Sequence, residues 1–300
     1  MGSSIENERN DRLTPQSAFQ LLGHEIRIEI LWALWTAPDH TATFSTLREE
    51  VRIDDNGRLN YHRDQLTGHF IEPAADNEGY TLQQAGLNVI RAIHAGTFTD
   101  RSKLESESID GTCPDCRSQL RFRYVDGMTN VFCPDCEQLW DEYAFPPGGL
   151  PNWDETDLAV AGDVWGRHEL SLAQQGMCPA CGSQMSAALV SGSDEYFGHP
   201  LHVRYECNRC EFHPRASLGE AVLGHPAVVS LFHDHGTDIR SVPRWQLSFC
   251  FDDDYIEVTS QNPLRGRVFV PCGDEVLDLS LDTTGEVVKT RYVPTDRINH

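Results

Sequence analysis

The sequence predicts an α+β protein in which a helical N-terminal domain precedes two four-cysteine modules and a C-terminal antiparallel β-sheet with covering helices. Three observations support this fold class. Apolar residues recur at helical spacing through the first hundred residues, four CxxC pairs follow residue 112, and period-two alternation dominates after residue 245. The length of 300 residues also suggests two domains, since a domain typically holds about 150 residues.

The first hundred residues predict a domain of short helices and one β-hairpin. Residues 1–12 are polar and are expected to be disordered. Helices are predicted at 15–22, 24–35, 58–67 and 83–95, with a further short helix capped by Ser45. Strands at 69–72 and 80–82 would form the hairpin. This order of elements over residues 13–100 is that of a winged helix-turn-helix.

Eight of the ten cysteines form four CxxC pairs. They are Cys113 and Cys116, Cys133 and Cys136, Cys178 and Cys181, and Cys207 and Cys210. A CxxC turn directs two sulfurs at one ion, and a second turn completes the tetrahedral thiolate set that Zn²⁺ binds at ~2.3 Å. Such a closed sphere leaves no open position, so the sequence predicts two structural Zn²⁺ ions whose binding stabilises the fold. A thioredoxin-like redox pair and an iron–sulfur cluster are the alternatives.

The cysteine pairs divide the rest of the chain into a first zinc-ribbon-like module at 111–145 and a larger α+β domain at 154–300. Residues 97–109 are polar and charged, which is typical of a linker or of an extension of the preceding helix. A helix is predicted at 155–174, between the two metal sites. Its apolar face contains Leu158, Ala161, Trp165, His168 and Leu172.

Beyond residue 245 the sequence predicts an antiparallel sheet. Trp245, Leu247, Phe249 and Phe251 alternate with other residues, and three further alternating runs and a final strand at 287–292 follow, separated by turn residues. A sheet with one apolar face needs cover, which the preceding helices can supply. The resulting domain is either an effector domain that encloses a ligand pocket or a rigid dimer scaffold.

The composition limits the classes of partner. Asp and Glu outnumber Lys and Arg by 46 to 24, a net charge of −22, and only Lys103 and Lys289 are lysines. A basic nucleic-acid-coating protein and a polybasic membrane-surface protein are therefore excluded. The acidic, lysine-poor composition predicts a halophilic protein. We expect it to be cytoplasmic and without a membrane partner, because no apolar run reaches ~18 residues and no signal peptide is evident. An ordinary acidic mesophilic protein is the alternative.

Several segments resemble haloarchaeal winged-helix proteins of the ArsR type. Residues 22–31 (LGHEIRIEIL) are similar to the second-helix motif of these regulators, and residues 59–66 (LNYHRDQL) to their recognition helix. Residues 79–82 with Ala85 and Gly86 resemble the wing strand and the start of the last helix, and the likeness extends to residues 225–236. The resemblance implies a DNA-binding transcriptional regulator that pairs as a homodimer through its first and last helices. Residues 1–112 contain no cysteine, so the family's metal-sensing motif is absent.

Five residues are the candidates for contact with double-stranded DNA, since arginine can fork onto guanine and Asn or Gln onto adenine. They are Arg58, Asn60, Tyr61, Arg63 and Gln65. Leu59 and Leu66 are expected to face the core, and the apolar pairs Phe19/Leu22 and Val89/Ile93 to form the dimer contact. A small-molecule effector is a further candidate partner.

The alternative to a regulator is a transcription-machinery or other protein-interaction factor that uses the winged helix and zinc ribbons for docking. Residues 1–100 contain 8 arginines and 15 acidic residues, a net charge of −7, which weakens attraction to phosphate. The sequence has no Gly-rich phosphate loop and no nucleophile motif. Enzyme activity is therefore not expected.

Overall fold

The computed structural model describes residues 13–75, 78–192 and 199–294. The chain divides into two compact units, Met1–Asp100 and Arg101–His300. The predicted disordered segment 1–12 lies outside the described residues. Among the described helices, none combines the length and the apolar composition needed to cross a membrane.

The N-terminal unit packs five helices around a small antiparallel sheet within its described residues. The helices are α1 Pro15–Leu22, α2 Glu25–Thr36, α3 Phe44–Glu50, α4 Asn56–Leu66 and α5 Gln84–His94. The strands are β1 Thr41–Ala42, β2 Ile71–Pro73 and β3 Tyr80–Leu82, in the order β1-β3-β2. The predicted helices agree with these bounds to within about two residues, whereas β1 is too short to show an alternating pattern.

Fully buried leucines and isoleucines form the core of this unit. Ile30, Leu31 and Leu34 of α2 lie at its centre, and Leu59 and Leu66 of α4 pack into it as predicted. One detail of α3 differs from the prediction. Thr43 rather than Ser45 caps the helix, because the Thr43 hydroxyl accepts a hydrogen bond from the Thr46 N–H at 3.2 Å.

The second unit begins with a four-stranded antiparallel sheet. Its strands are β4 Leu104–Thr112, β5 Gln119–Val125, β6 Met128–Phe132 and β7 Leu139–Ala144, in the order β4-β5-β6-β7. Part of the predicted linker at 97–109 is therefore strand. The acidic composition of this segment does not predict a strand, because β4 is held by its pairing with the apolar strand β5 and not by local propensity.

A long helix and a second, smaller sheet follow. The helices are α6 Glu155–Gln174, α7 Leu218–Val222 and α8 Pro226–Asp234, and the strands are β8 Met185–Ser191, β9 Leu201–Cys207 and β10 Arg215–Ser217. The strand order is β10-β9-β8. Residues 217–220 (SLGE) have the sequence pattern of a capping box. The structure has this capping box at the start of α7, where Ser217 and Glu220 exchange side-chain to backbone hydrogen bonds.

The buried face of α6 differs from the predicted one. Trp165 is 44% exposed and His168 is also exposed, whereas Gly162 and Gly166 are buried. A Cβ atom on either glycine would lie 2.9 Å from the Tyr143 ring. The helix therefore approaches β7 through its glycines. A pattern of apolar spacing does not include glycine, so it does not predict this face.

The chain ends in a four-stranded antiparallel sheet. Its strands are β11 Ile256–Gln261, β12 Leu264–Cys272, β13 Glu275–Leu281 and β14 Val287–Val293, in chain order. The predicted strand at 245–251 is wrong, since a 3₁₀ turn at Arg244–Gln246 and the short helix α9 Ser248–Phe251 occupy it. The four apolar residues of this segment are all buried while Gln246 and Ser248 are exposed, so the alternation follows burial correctly but does not distinguish short helical turns from a strand.

One continuous apolar core joins the parts of the second unit. It includes Phe122 of β5, Leu158 of α6, Val203 of β9 and Leu279 of β13. Both four-cysteine regions are thus packed against the same core as the C-terminal sheet.

Candidate metal centres and the exposed face of helix α4

The structure brings the eight CxxC cysteines together in two groups of four. Within each group the four Sγ atoms all lie within 4.8 Å of one another. The shortest Sγ–Sγ separations are 3.3 Å for Cys116–Cys133 and 3.6 Å for Cys113–Cys136, Cys178–Cys210 and Cys181–Cys207. Four sulfurs at ~2.3 Å from one ion are separated by about 3.8 Å. Each group could therefore hold one metal ion.

All four CxxC turns share one backbone geometry. In each turn the N–H of the first cysteine donates to the carbonyl five residues later, at 2.8 to 2.9 Å. The residue after the second cysteine has a positive φ in every case. These residues are Arg117 (φ 64°), Glu137 (φ 60°), Gly182 (φ 69°) and Glu211 (φ 59°). Three of these four residues are not glycine, so the left-handed backbone conformation is held by contacts within the turn, which include the hydrogen bond from the first cysteine.

The turns occupy equivalent positions in the two sheets. The first group joins the β4–β5 turn to the β6–β7 turn, so both pairs lie at one end of the sheet. The second group joins the segment before β8 to the β9–β10 turn. In every pair the first cysteine is buried and the second is exposed. Each group therefore sits at the edge of the core, closed on its inner side by packing.

Two of the thiols are prepared for ionisation. The Ser118 side chain and backbone hydrogen bond to Cys116 and lower the pKa of its thiol to about 6. The pKa of the Cys207 thiol is also lowered to about 6, mainly by a hydrogen bond from the backbone N–H of Cys210.

The backbone N–H groups of Gln138 and Phe212 lower the pKa values of Cys136 and Cys210, but burial and the neighbouring thiols raise them further, to about 12. Each group therefore has one thiol that ionises readily at neutral pH, and a metal ion would displace the protons of the others.

The two remaining cysteines lie apart from both groups. Cys250 is fully buried and Cys272 partly buried. Burial raises the pKa of the Cys250 thiol well above its usual range, which keeps the thiol neutral.

The second unit also contains a buried charge cluster that the sequence pattern did not predict. Arg244, 4% exposed, contacts Asp141 of β7 at 3.0 Å, Asp163 of α6 at 2.6 Å and Glu220 of α7 at 2.7 Å. Arg167 also contacts Asp163, at 2.8 Å. The one sequence signal was the capping box, which identified Glu220 as a helix cap but not as a partner of Arg244. We name these five residues the Arg244 cluster.

Helix α4 of the N-terminal unit presents a polar face to solvent. Among the five predicted DNA contacts, Arg58 is exposed, Tyr61 is 57% exposed, and Asn60 and Gln65 are partly exposed. Asp55 caps the helix by accepting from the Gly57 and Arg58 N–H groups. Arg58 and Tyr61 are one turn apart and share a face.

Arg63, the fifth predicted contact, points within its own unit. Its guanidinium lies over the Tyr80 ring of β3 at 4.7 Å from the centroid and pairs with the carboxylate of Asp64. The Arg63 side chain is only 15% exposed. In this structure Arg63 attaches the hairpin to α4 rather than reaching outward.

The inner side of α4 rests on a group of cationic and imidazole side chains. Buried His62 has its ring 4.0 Å from that of His24, and its Nδ1 accepts from the Arg27 Nε–H at 3.4 Å. The Arg27 guanidinium also donates to the Leu21 carbonyl at 2.9 Å. Burial, with His24, Arg27 and Arg58 nearby, lowers the pKa of His62. Neutral His62 therefore helps to hold α4 against α2.

Together the fold and sites define an α+β protein with two four-cysteine groups that could bind metal ions. Residues 110–287 match the domain of unknown function DUF7351, and residues 15–93 match the domain of unknown function DUF7347. The first match spans more than half of the chain, so the chain belongs to the DUF7351 family. No curated protein and no solved structure matches it.

Proposed function

We propose that this protein is a sequence-specific, DNA-binding transcriptional regulator of the ArsR type, with a winged helix-turn-helix as its N-terminal unit. The observation that carries the proposal is the exposed face of α4, which presents Arg58 and Tyr61 while Leu59, His62 and Leu66 pack inward. A short turn at 51–55 joins α3 to α4, and the Arg48 guanidinium donates to the Asn56 side chain across it, at 3.4 Å. The β2–β3 hairpin then supplies the wing.

The distribution of charge indicates which contacts would supply the DNA-binding free energy of such a regulator. The acidic shell offers few phosphate contacts, so base contacts from α4 must supply more of the binding free energy than in a basic regulator. A bidentate Arg58 contact to guanine is worth ~1–3 kcal/mol of discrimination. We expect affinity for a specific site to fall less steeply between about 0.5 and about 2 M KCl than counterion release from a basic protein predicts.

Selection of bound duplexes from a random pool, followed by fluorescence polarisation, tests this function on the full chain. Arg58→Ala should weaken binding to the selected site by about tenfold or more. Arg240→Ala, which removes an exposed arginine of the second unit, should leave affinity unchanged. Arg63→Ala should weaken binding indirectly, by loosening the hairpin.

Failure to enrich any sequence would reject DNA reading and favour the protein-interaction factor. Equal loss in Arg58→Ala and Arg240→Ala would show only general electrostatic attraction and would reject the assignment of Arg58. Genome-wide occupancy in the native host would identify the operator.

We also propose that the metal in both cysteine groups is Zn²⁺ in a structural role. Four thiolates and no open position suit zinc, although a tetrahedral sulfur set also binds iron. Elemental analysis should find two zinc equivalents per chain and no visible absorption. Cys116→Ser should lose one equivalent, whereas Cys272→Ser should keep both.

Chelation gives a second test of the structural role. It should abolish the cooperative unfolding of residues after 101, because metal binding in such sites is part of the folding free energy. Retained cooperative melting of that unit without metal, or coloured protein containing iron, would contradict the proposal.

A further inference from the structure

An apolar pocket opens on the surface of the second unit, between the segment that follows β7 and the first half of α6. Its volume is about 640 Å³, within the ~300–1,000 Å³ typical of small-molecule sites. The rings of Phe145, Trp153 and Trp165 line it, together with the methyl groups of Val160 and Val164. The pocket is separate in sequence from both cysteine groups and from α4.

Packing fixes the shape of one wall. Phe145 is buried and meets Trp165 edge to face, with ring centroids 5.9 Å apart and planes at 74°. The backbone at Gly149 lies so close to Phe145 that a Cβ there would be 3.2 Å from the ring. Other lining side chains stay exposed, since Trp153 is 49% and Val164 53% accessible. Contiguous exposed apolar surface of this kind marks a binding site.

The electrostatics of the pocket favour a cation. The described lining residues include no lysine or arginine, and the ionisable ones are Asp157 and His168. Aromatic faces carry partial negative charge and attract organic cations within ~6 Å of the ring centroid. The net charge of −22 adds attraction for cations and repulsion for anions.

We propose that this pocket binds an organic cation with an apolar body, of the quaternary ammonium class. Asp157 would pair with the charge while the tryptophan rings cover its alkyl or aryl groups. Such a ligand would give the second unit an effector role. The site does not depend on DNA reading by α4, so either proposal can fail alone.

Phenyltrimethylammonium and its neutral isostere tert-butylbenzene form a matched pair of probes. Calorimetric titration of the full metal-loaded chain, with tryptophan fluorescence as a second readout, should show the cation binding about tenfold more tightly. Asp157→Asn should reduce the affinity for the cation several-fold and leave that for the neutral probe unchanged. Metal content and circular dichroism of each variant would confirm that it folds.

Two further variants locate the site. Trp165→Ala should abolish binding of both probes, whereas Tyr292→Ala, which truncates an exposed aromatic residue of β14, should not affect either. Equal affinity for the two probes would overturn the cation assignment. Unchanged binding in Trp165→Ala, or no binding of either probe to the wild-type chain, would overturn the pocket. A dimer in light scattering that Trp165→Ala disperses would instead assign this surface to a second copy of the chain.

Discussion

The Arg244 cluster shows how one residue organises the second unit. The cluster has five ionisable side chains in or near the core, and its three carboxylates surround the Arg244 guanidinium. Burial raises the pKa of Asp141 well above its usual range. This direction favours the protonated form of Asp141, and a protonated Asp141 would leave Arg244 and Arg167 balanced by Asp163 and Glu220. An uncompensated buried charge would cost several kcal/mol.

This charge balance makes a prediction that distinguishes two aspartates in the same cluster. Asp141→Asn should change the free energy of unfolding by less than ~1 kcal/mol, because an amide resembles a protonated carboxyl. Asp163→Asn should cost ~3–5 kcal/mol, because it leaves buried arginine charge unpaired. Chemical denaturation of the metal-loaded chain measures both. A larger loss in Asp141→Asn than in Asp163→Asn would show that Asp141 is ionised.

His62 predicts a pH dependence of the N-terminal unit. Its pKa is lowered in the folded chain by burial and by His24, Arg27 and Arg58. Near pH 6.5, therefore, His62 binds a proton in the unfolded chain but not in the folded chain. Stability is full above that pH and declines as pH falls below it.

Thermal melting of the full chain at about pH 7.5 and about pH 5.5 tests this sign, and we expect the first unit to lose a few degrees in Tm at the lower pH. His62→Gln should remove much of that difference. His233→Gln, a change at an exposed histidine of the second unit, should preserve it. A Tm that rises on acidification would contradict the prediction.

At the scale of the element, glycines decide how helix α6 packs. An alanine in place of a glycine normally stabilises a helix by about 1 kcal/mol. At Gly166 the added Cβ would lie 2.9 Å from Tyr143 Cγ and 3.1 Å from the Arg244 guanidinium. Neither neighbour can move freely, because Tyr143 is in the core and Arg244 is held by three carboxylates.

Gly166→Ala should therefore destabilise the second unit by about 1–3 kcal/mol despite the better helix propensity. Ser171→Ala, at an exposed position of the same helix, should change stability by less than ~0.5 kcal/mol. Denaturant unfolding compares the two. A stabilised Gly166→Ala variant would show that α6 does not approach β7 as closely as described.

At the scale of the whole molecule, the predicted homodimer needs an apolar surface that the first unit leaves exposed. Helix α1 contains no buried residue, and its Phe19 is 67% exposed. The other predicted dimer residues, Leu22, Val89 and Ile93, are partly buried against the first unit's own core. Phe19 is thus the member of the set with most surface left for a partner.

We expect the full chain to be a dimer in light scattering and Phe19→Glu to be a monomer with an unchanged circular dichroism spectrum. In a two-fold interface the substitution places two carboxylates near each other, so its effect is doubled. Tyr292→Ser, at an exposed aromatic residue of the second unit, should remain dimeric. A dimer that persists in Phe19→Glu would place the interface elsewhere.

Local pattern was sufficient for much of the architecture. Helices α1, α2, α4, α5 and α6, the hairpin and the last four strands were predicted from the period of their apolar residues. The period was sufficient even for α1, which has no buried residue. The CxxC spacing predicted the two cysteine groups, because a two-residue turn brings its own pair of sulfurs together whatever surrounds it.

Tertiary contacts decided the rest. The 245–251 segment forms a 3₁₀ turn and a short helix that bury its four alternating apolar residues, and Trp165 stays exposed because glycines lie closer to β7. Arg63 turns toward Tyr80 because the hairpin offers it an aromatic face. By itself, the sequence determined the order of the elements and the two sulfur sets. The Arg244 cluster, the apolar pocket and the side chains that α4 exposes depend on residues far apart in the chain, and only packing brings those residues together.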